Sequence, residues 1–155
     1  MNNDSNNNSV YQELKFRRQF LVSPDKYAPN KHWQNKELNH GLFLSIHEDL
    51  NSFIEEKNGR MVTLVGLAID CTSPYRKQSA ITSLLLNHFI DIQSVIKASK
   101  PLSGRWVIIC QDTTNTYIFT DPCGLRSVFY HSKGKEKWFA SQPTLINQVK
   151  ELSFN

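Results

Sequence analysis

The chain has 155 residues, 39% of them hydrophobic, which is enough apolar material for one globular domain with its own core. Eighteen basic against fourteen acidic side chains give a formal charge of +4. The positives stand in ones and twos, as at Arg17-Arg18, Arg76-Lys77 and Lys133/Lys135/Lys137, a solvated face and not a nucleic-acid groove.

Met1 to Val10 is almost pure Asn and Ser and cannot bury enough apolar surface to offset its ordering entropy, so residues 1–14 are expected to be a disordered tail, with a single domain over 15–155. Phe20-Leu21-Val22, stopped by Ser23-Pro24-Asp25, predicts a first strand. Tyr27 to His40 reads as an irregular loop pinned by Trp33, and Gly41 to His47 alternates as a strand. Glu48 to Gly59 is polar and reads as a short helical turn or a loop ahead of Asn58-Gly59, the strongest hairpin signal in the chain. Met61 to Ile69 is a near-continuous apolar run, the pattern of a central strand buried on both faces.

Gln78 to Lys97 predicts one long helix: Ile81, Leu84, Leu85, Phe89, Ile92, Val95 and Ile96 recur at steps of three and four, and Leu86 widens the stripe. Four β-type runs follow, Arg105 to Gln111, Tyr117 to Thr120, Ser127 to His131 and Lys137 to Ala140, with turn chemistry between them, so an antiparallel meander is expected. Gln142-Pro143 supplies an N-cap and a proline at the first helical position for a last short helix, Pro143 to Leu152. Strands, a long helix, more strands and a helix make an α+β pattern with sheet packed on helix.

Within the last third, Leu102-x-Gly104-x-Trp106-Val107, Asp112, Asp121-x-x-Gly124-Leu125-Arg126, Phe129-Tyr130 and Phe139-Ala140-Ser141 follow one another in a fixed order. This series resembles the second half of the class II glutamine amidotransferase domain that begins asparagine synthetases. Thr120 stands where that family has Arg, Ser127 where it has Pro, and Gln142 where it has Glu. The resemblance implies the four-layer αββα sandwich of two antiparallel sheets found in N-terminal nucleophile hydrolases. The motif residues it picks out, Gly104, Asp121, Gly124, Arg126 and Tyr130, build scaffold and not chemistry.

The chemistry the resemblance implies is missing. The family opens with a processed cysteine whose thiol attacks the glutamine amide while its own α-amine acts as base; here Met1-Asn2 and a long tail precede the first strand. The family's Asn-Gly-Glu anchor corresponds to Val65-Gly66-Leu67, and its second anchor, an Asp at the start of the long helix, falls in Ser79-Ala80-Ile81-Thr82. Glutamine's charged groups would go unpaired in such a site, which costs several kcal/mol. We therefore expect no catalytic residue.

Other chemistry is equally sparse. The three cysteines, Cys71, Cys110 and Cys123, lack CxxC spacing and read as reduced thiols in a cytoplasmic protein. The five histidines, His32, His40, His47, His88 and His131, show no HxxxH or HxH, so no metal is expected. No glycine-rich phosphate loop is present, so no cofactor is expected either. No apolar run approaches the ~20 residues of a membrane span. Asp121 and Arg126 are expected to form a buried pair that braces their turn.

Three readings of function remain. The first is a catalytically degenerate amidotransferase-like domain that binds a synthetase-type amide-forming domain, or itself, through Leu125 to Tyr130 and the terminal helix around Leu145, Ile146 and Val149. The second is a glutaminase or other amidohydrolase with an atypical nucleophile. The third is an interaction module unrelated to amidotransferases.

Overall fold

The computed structural model describes Tyr11 and residues 14–150. The expected tail therefore lies almost wholly outside the described residues; of it, Tyr11 accepts at its carbonyl from the Lys15 N–H, at 2.9 Å. The chain divides into two compact units, one formed by residues 51–128 and one by the segments on either side of it.

The outer unit carries a five-stranded sheet in the order β2-β3-β1-β9-β8, antiparallel throughout. Its strands are β1 (Phe20–Ser23), β2 (Trp33–Glu37), β3 (Phe43–His47), β8 (Phe129–Lys133) and β9 (Glu136–Ala140). The expected irregular loop around Trp33 is thus corrected to a strand. Its sequence, Trp-Gln-Asn-Lys-Glu, is too polar to announce itself, and the conformation is set by pairing with β3, Trp33 opposite His47 through Glu37 opposite Phe43. Leu21, Trp33, Trp138 and Ala140 form a core with Leu145 and Ile146 of the last helix, Pro143–Lys150. That helix starts at Pro143 as expected; its expected end at Leu152 lies outside the described residues. The loop between β1 and β2 is held by Tyr27, whose N–H donates to Ser45 Oγ and Asn35 Oδ1 and whose hydroxyl donates to Gln148 Oε1 at 2.6 Å.

The inner unit carries a four-stranded antiparallel sheet in the order β4-β5-β6-β7. Its strands are β4 (Ser52–Lys57), β5 (Arg60–Asp70), β6 (Leu102–Gln111) and β7 (Thr116–Thr120). Asn58-Gly59 makes the expected hairpin, with φ of 54° and 72° at its two central residues. The segment before it, read as a helical turn or loop, is instead β4, drawn into extended form by that turn. Met61 to Gly66 is buried at every position, but the expected two-sided burial over Met61 to Ile69 is corrected at its end, where Leu67 and Ile69 are exposed beyond the last residue that β4 covers.

The single helix expected over Gln78 to Lys97 is two: α1 (Gln78–His88) and α2 (Ile92–Ser99). The break is local chemistry. Asp91 adopts an extended conformation and its carboxylate accepts the Ser94 N–H at 2.8 Å, while Ser94 Oγ accepts the Asp91 N–H at 3.0 Å, a reciprocal cap that starts a new helix inside a continuing apolar stripe. Ile81, Leu85 and Phe89 pack on Val62, Leu64 and Trp106 of the sheet, and Val95 joins them from α2. Burying each such aliphatic side chain is worth about 1.5–3 kcal/mol. Gln78 fixes where α1 begins: its Oε1 accepts the Ala68 N–H at 2.9 Å and its Nε2 donates to the Ala68 carbonyl at 2.5 Å.

The expected four-strand meander is two hairpins. β6 pairs with β7 and β8 with β9, but β7 ends the four-stranded sheet and β8 ends the five-stranded one, so Asp121 to Val128 carries the chain between sheets. Gly-x and Asp-Pro turn chemistry is the same for a hairpin and for such a crossover. Among the described residues no helix is long and apolar enough to cross a membrane.

Candidate functional site

Two places could hold chemistry: the head of β1, where the resembled family keeps its nucleophile, and the turn from Asp121 to Arg126, where the motif residues gather.

At the head of β1 the sequence runs Leu14 to Val22 without a serine, threonine or cysteine. Phe20, Leu21 and Val22 are each 0% exposed. The Phe20 N–H donates to Ser141 Oγ at 2.9 Å, Ser141 Oγ donates back to the Phe20 carbonyl, and the Ser141 N–H donates to the same carbonyl at 3.1 Å. The backbone at this point is thus a closed hydrogen-bonded clasp between residues 121 apart.

The three thiols lie on other segments. Cys110 is buried within β6, and burial pushes its thiol up to about 12, so it stays protonated and inert. Cys71 and Cys123 are exposed, Cys71 just past β5 and Cys123 in the crossover turn. Among the described residues no group of three His, Cys, Asp or Glu side chains could hold a metal ion.

In the crossover turn, Asp121 organises the main chain. Its N–H donates to the Trp106 carbonyl at 3.1 Å, and its carbonyl accepts the Gly124 N–H at 2.9 Å. One carboxylate oxygen accepts the N–H groups of Cys123 and Leu125, and the other accepts that of Arg126, at 3.0–3.1 Å. Burial alone would raise this carboxyl, but those N–H groups outweigh it and hold the group below its ordinary value. Asp121 thus braces the turn through backbone N–H groups, that of Arg126 among them. The Arg126 guanidinium is itself buried and is lowered to about 10, first by burial and then by the nearby charge of Arg105, with Asp121 acting in the opposite sense. It remains charged at neutral pH.

Gly124 has φ +62° and no neighbour within 4 Å of a built Cβ, so it serves the turn conformation alone. Gly104 has φ +112°, and a Cβ there would lie 2.3 Å from the Leu67 carbonyl oxygen. Gly66 is its counterpart across the β5–β6 ladder: φ +101°, with the Arg105 carbonyl oxygen 2.3 Å from a built Cβ. Sequence reasoning singled out Gly104 and passed over the structural part of Gly66; the signal was a glycine inside a strand pattern.

Tyr130 lies on β8 and is 76% exposed; Phe129 and Leu125 are exposed as well. The terminal helix contradicts its share of the expected partner surface. Leu145 and Ile146 are buried against Trp138 and Ala140, because the amphipathic helix spends its apolar face on its own sheet.

No family model and no curated protein sequence matches the chain. Among solved structures it is similar to the glutamine phosphoribosylpyrophosphate (PRPP) amidotransferase from B. subtilis complexed with ADP and GMP, with a TM-score of 0.53 and 13% identity over 90% of this chain. The chain spans 39% of the length of that protein. The likeness is one of fold: among the described residues, two antiparallel sheets and three α-helices in an α+β arrangement.

Proposed function

We propose that this chain is an amidotransferase-like domain that has lost glutamine hydrolysis and acts as a binding partner of a synthetase-type amide-forming domain. The clasp at the head of β1 carries the reading. Glutamine hydrolysis of the resembled type needs a thiol and a free amine together at that point, and here a fully buried phenylalanine has its N–H held by Ser141. Cleavage anywhere between Leu14 and Val22 would expose no thiol or hydroxyl. The fold likeness to a glutamine amidotransferase supports the ancestry of the scaffold. The asparagine synthetase branch and the four-layer αββα arrangement belong to this proposal.

Ammonia release from glutamine by the purified protein tests it. The expected result is no release above the buffer blank for the parent chain and for Cys71→Ala and Cys123→Ala. Turnover by the parent that one of these substitutions abolishes would establish the amidohydrolase instead. The partner half is tested by titrating the chain with an asparagine synthetase-type amide-forming domain stripped of its own amidotransferase half. A 1:1 complex in sedimentation is expected, and no shift up to 100 µM, on the order of the weakest useful affinities, would remove the partner claim.

A further inference from the structure

β8 is the outer strand of the five-stranded sheet, bonded to β9 on one side and, among the described residues, to no strand on the other. Four of its five residues are exposed, including Phe129 at 43% and Tyr130 at 76%. The direction of its backbone groups follows from the clasp. The Ser141 N–H points to β1, so by strand alternation the N–H groups of Ala140, Trp138 and Glu136 point to β8, where they face Phe129, His131 and Lys133. The N–H and C=O groups of Tyr130 and Ser132 therefore point outward, spaced to accept another strand.

The net charge around this edge is positive. Lys133, Lys135 and Lys137 sit on the β8–β9 hairpin with Glu136 as its one acidic residue. Lysines on an edge oppose pairing with a like strand, so a second copy of β8 is disfavoured and an acidic strand is selected. The two faces differ as well. Lys133, His131 and Phe129 share one, and Tyr130 and Ser132 share the other, as the two-residue period requires.

We propose that β8 is a docking edge that captures an acidic, extended peptide segment of a partner protein by strand addition. Main-chain bonds to Tyr130 and Ser132 provide the pairing, carboxylates on one face meet Lys133, and alternate apolar side chains cover Tyr130. This inference uses the edge alone and stands or falls apart from the amidotransferase reading.

The probe is a fluorescein-labelled hexapeptide of alternating glutamate and valine, read by anisotropy, with amide shifts of the ¹⁵N-labelled protein reporting location. Saturable binding is expected, with the largest shifts at Tyr130 and Ser132 and a Kd at least tenfold weaker in 0.5 M than in 0.05 M salt, roughly as screening of several exposed charges implies. Ser132→Pro removes an outward N–H and leaves the inward ladder intact, so it should weaken binding about tenfold or more. The same peptide N-methylated at alternate residues should fail equally against the unaltered protein, which guards against misfolding of the variant. Lys133→Glu should lose the acidic peptide and gain its lysine–valine counterpart. Undiminished binding of the N-methylated peptide would refute strand addition, as would shifts centred away from β8, no saturable binding, or a dimer abolished by Ser132→Pro.

Discussion

Gly124 and Gly66 both hold positive φ, but for reasons that separate on substitution. At Gly124 a side chain meets open space, so Gly124→Ala should cost only the strain of a left-handed residue, about 1–2 kcal/mol. At Gly66 the Arg105 carbonyl oxygen occupies the place of a Cβ, so Gly66→Ala must also part β5 from β6 and should cost several times more or prevent folding. Urea unfolding of the two variants side by side checks the order. His47 sets a different residue-scale test. Its ring is buried between His32, stacked at 5.9 Å, and the edge of Trp33, and its Nδ1 accepts the Asp49 N–H at 3.1 Å. Burial lowers its pKa, against the attraction of Asp49 and Glu48; the charges of His32 and Arg17 lower it further. A folded pKa below the unfolded value of about 6.5 means that the unfolded chain binds the proton first. The contribution is complete above about pH 6.5 and is lost as pH falls from there through the folded pKa. Stability should therefore rise between pH 5 and 7, and His47→Gln, which keeps an acceptor for Asp49, should flatten that rise.

At the scale of elements, the start of α1 depends on one side chain from outside the ladder. β4 ends opposite Val65, so the N–H and carbonyl of Ala68 have lost their strand neighbour on that side, and the Gln78 amide takes both. Gln78→Ala would leave two buried backbone groups short of partners, a loss of about 1–3 kcal/mol in urea unfolding. An unchanged midpoint would show that water takes over both bonds. Elements held by such distant partners were the hardest to read in the sequence. Asn58-Gly59 and Pro143 were legible because a turn and a helix start are written in adjacent residues. β2 and β4 were not, because Trp33–Glu37 and Ser52–Lys57 are polar segments made into strands by β3 and β5. The Asp91-x-x-Ser94 cap was present in the sequence, but the apolar stripe running through it from Phe89 to Val95 masked the break. At the head of β1, the lack of serine, threonine and cysteine from Leu14 to Val22 could be read directly. The Ser141 clasp could not, since only folding brings residues 121 apart into contact.

Over the whole molecule, the carboxylates give stability a second dependence on pH. Asp70 is held below its ordinary value first by the Thr72 hydroxyl and, against the cost of burial, by the Thr72 N–H and Arg76. Asp121 is held down by the N–H groups of its turn, and Asp112 by those of Thr114 and Asn115. For each, the folded pKa lies below the unfolded one. These contributions are present above about pH 4 and are lost as pH falls through the folded values. The chain is already +4 at neutral pH, so each protonated carboxylate also adds to self-repulsion. Two declines should therefore be resolved on acidification, one below pH 6.5 from His47 and a steeper one below about pH 4 from the aspartates. Asp121→Asn distinguishes them. It replaces one acceptor oxygen by an N–H donor facing other donors, so it should cost about 1–3 kcal/mol at pH 7. It should shrink the acid decline while leaving the His47 interval unchanged. Urea midpoints from pH 3 to 7 read both effects, and a variant whose loss is the same at pH 3 as at pH 7 would show that Asp121 is not charged in the native turn.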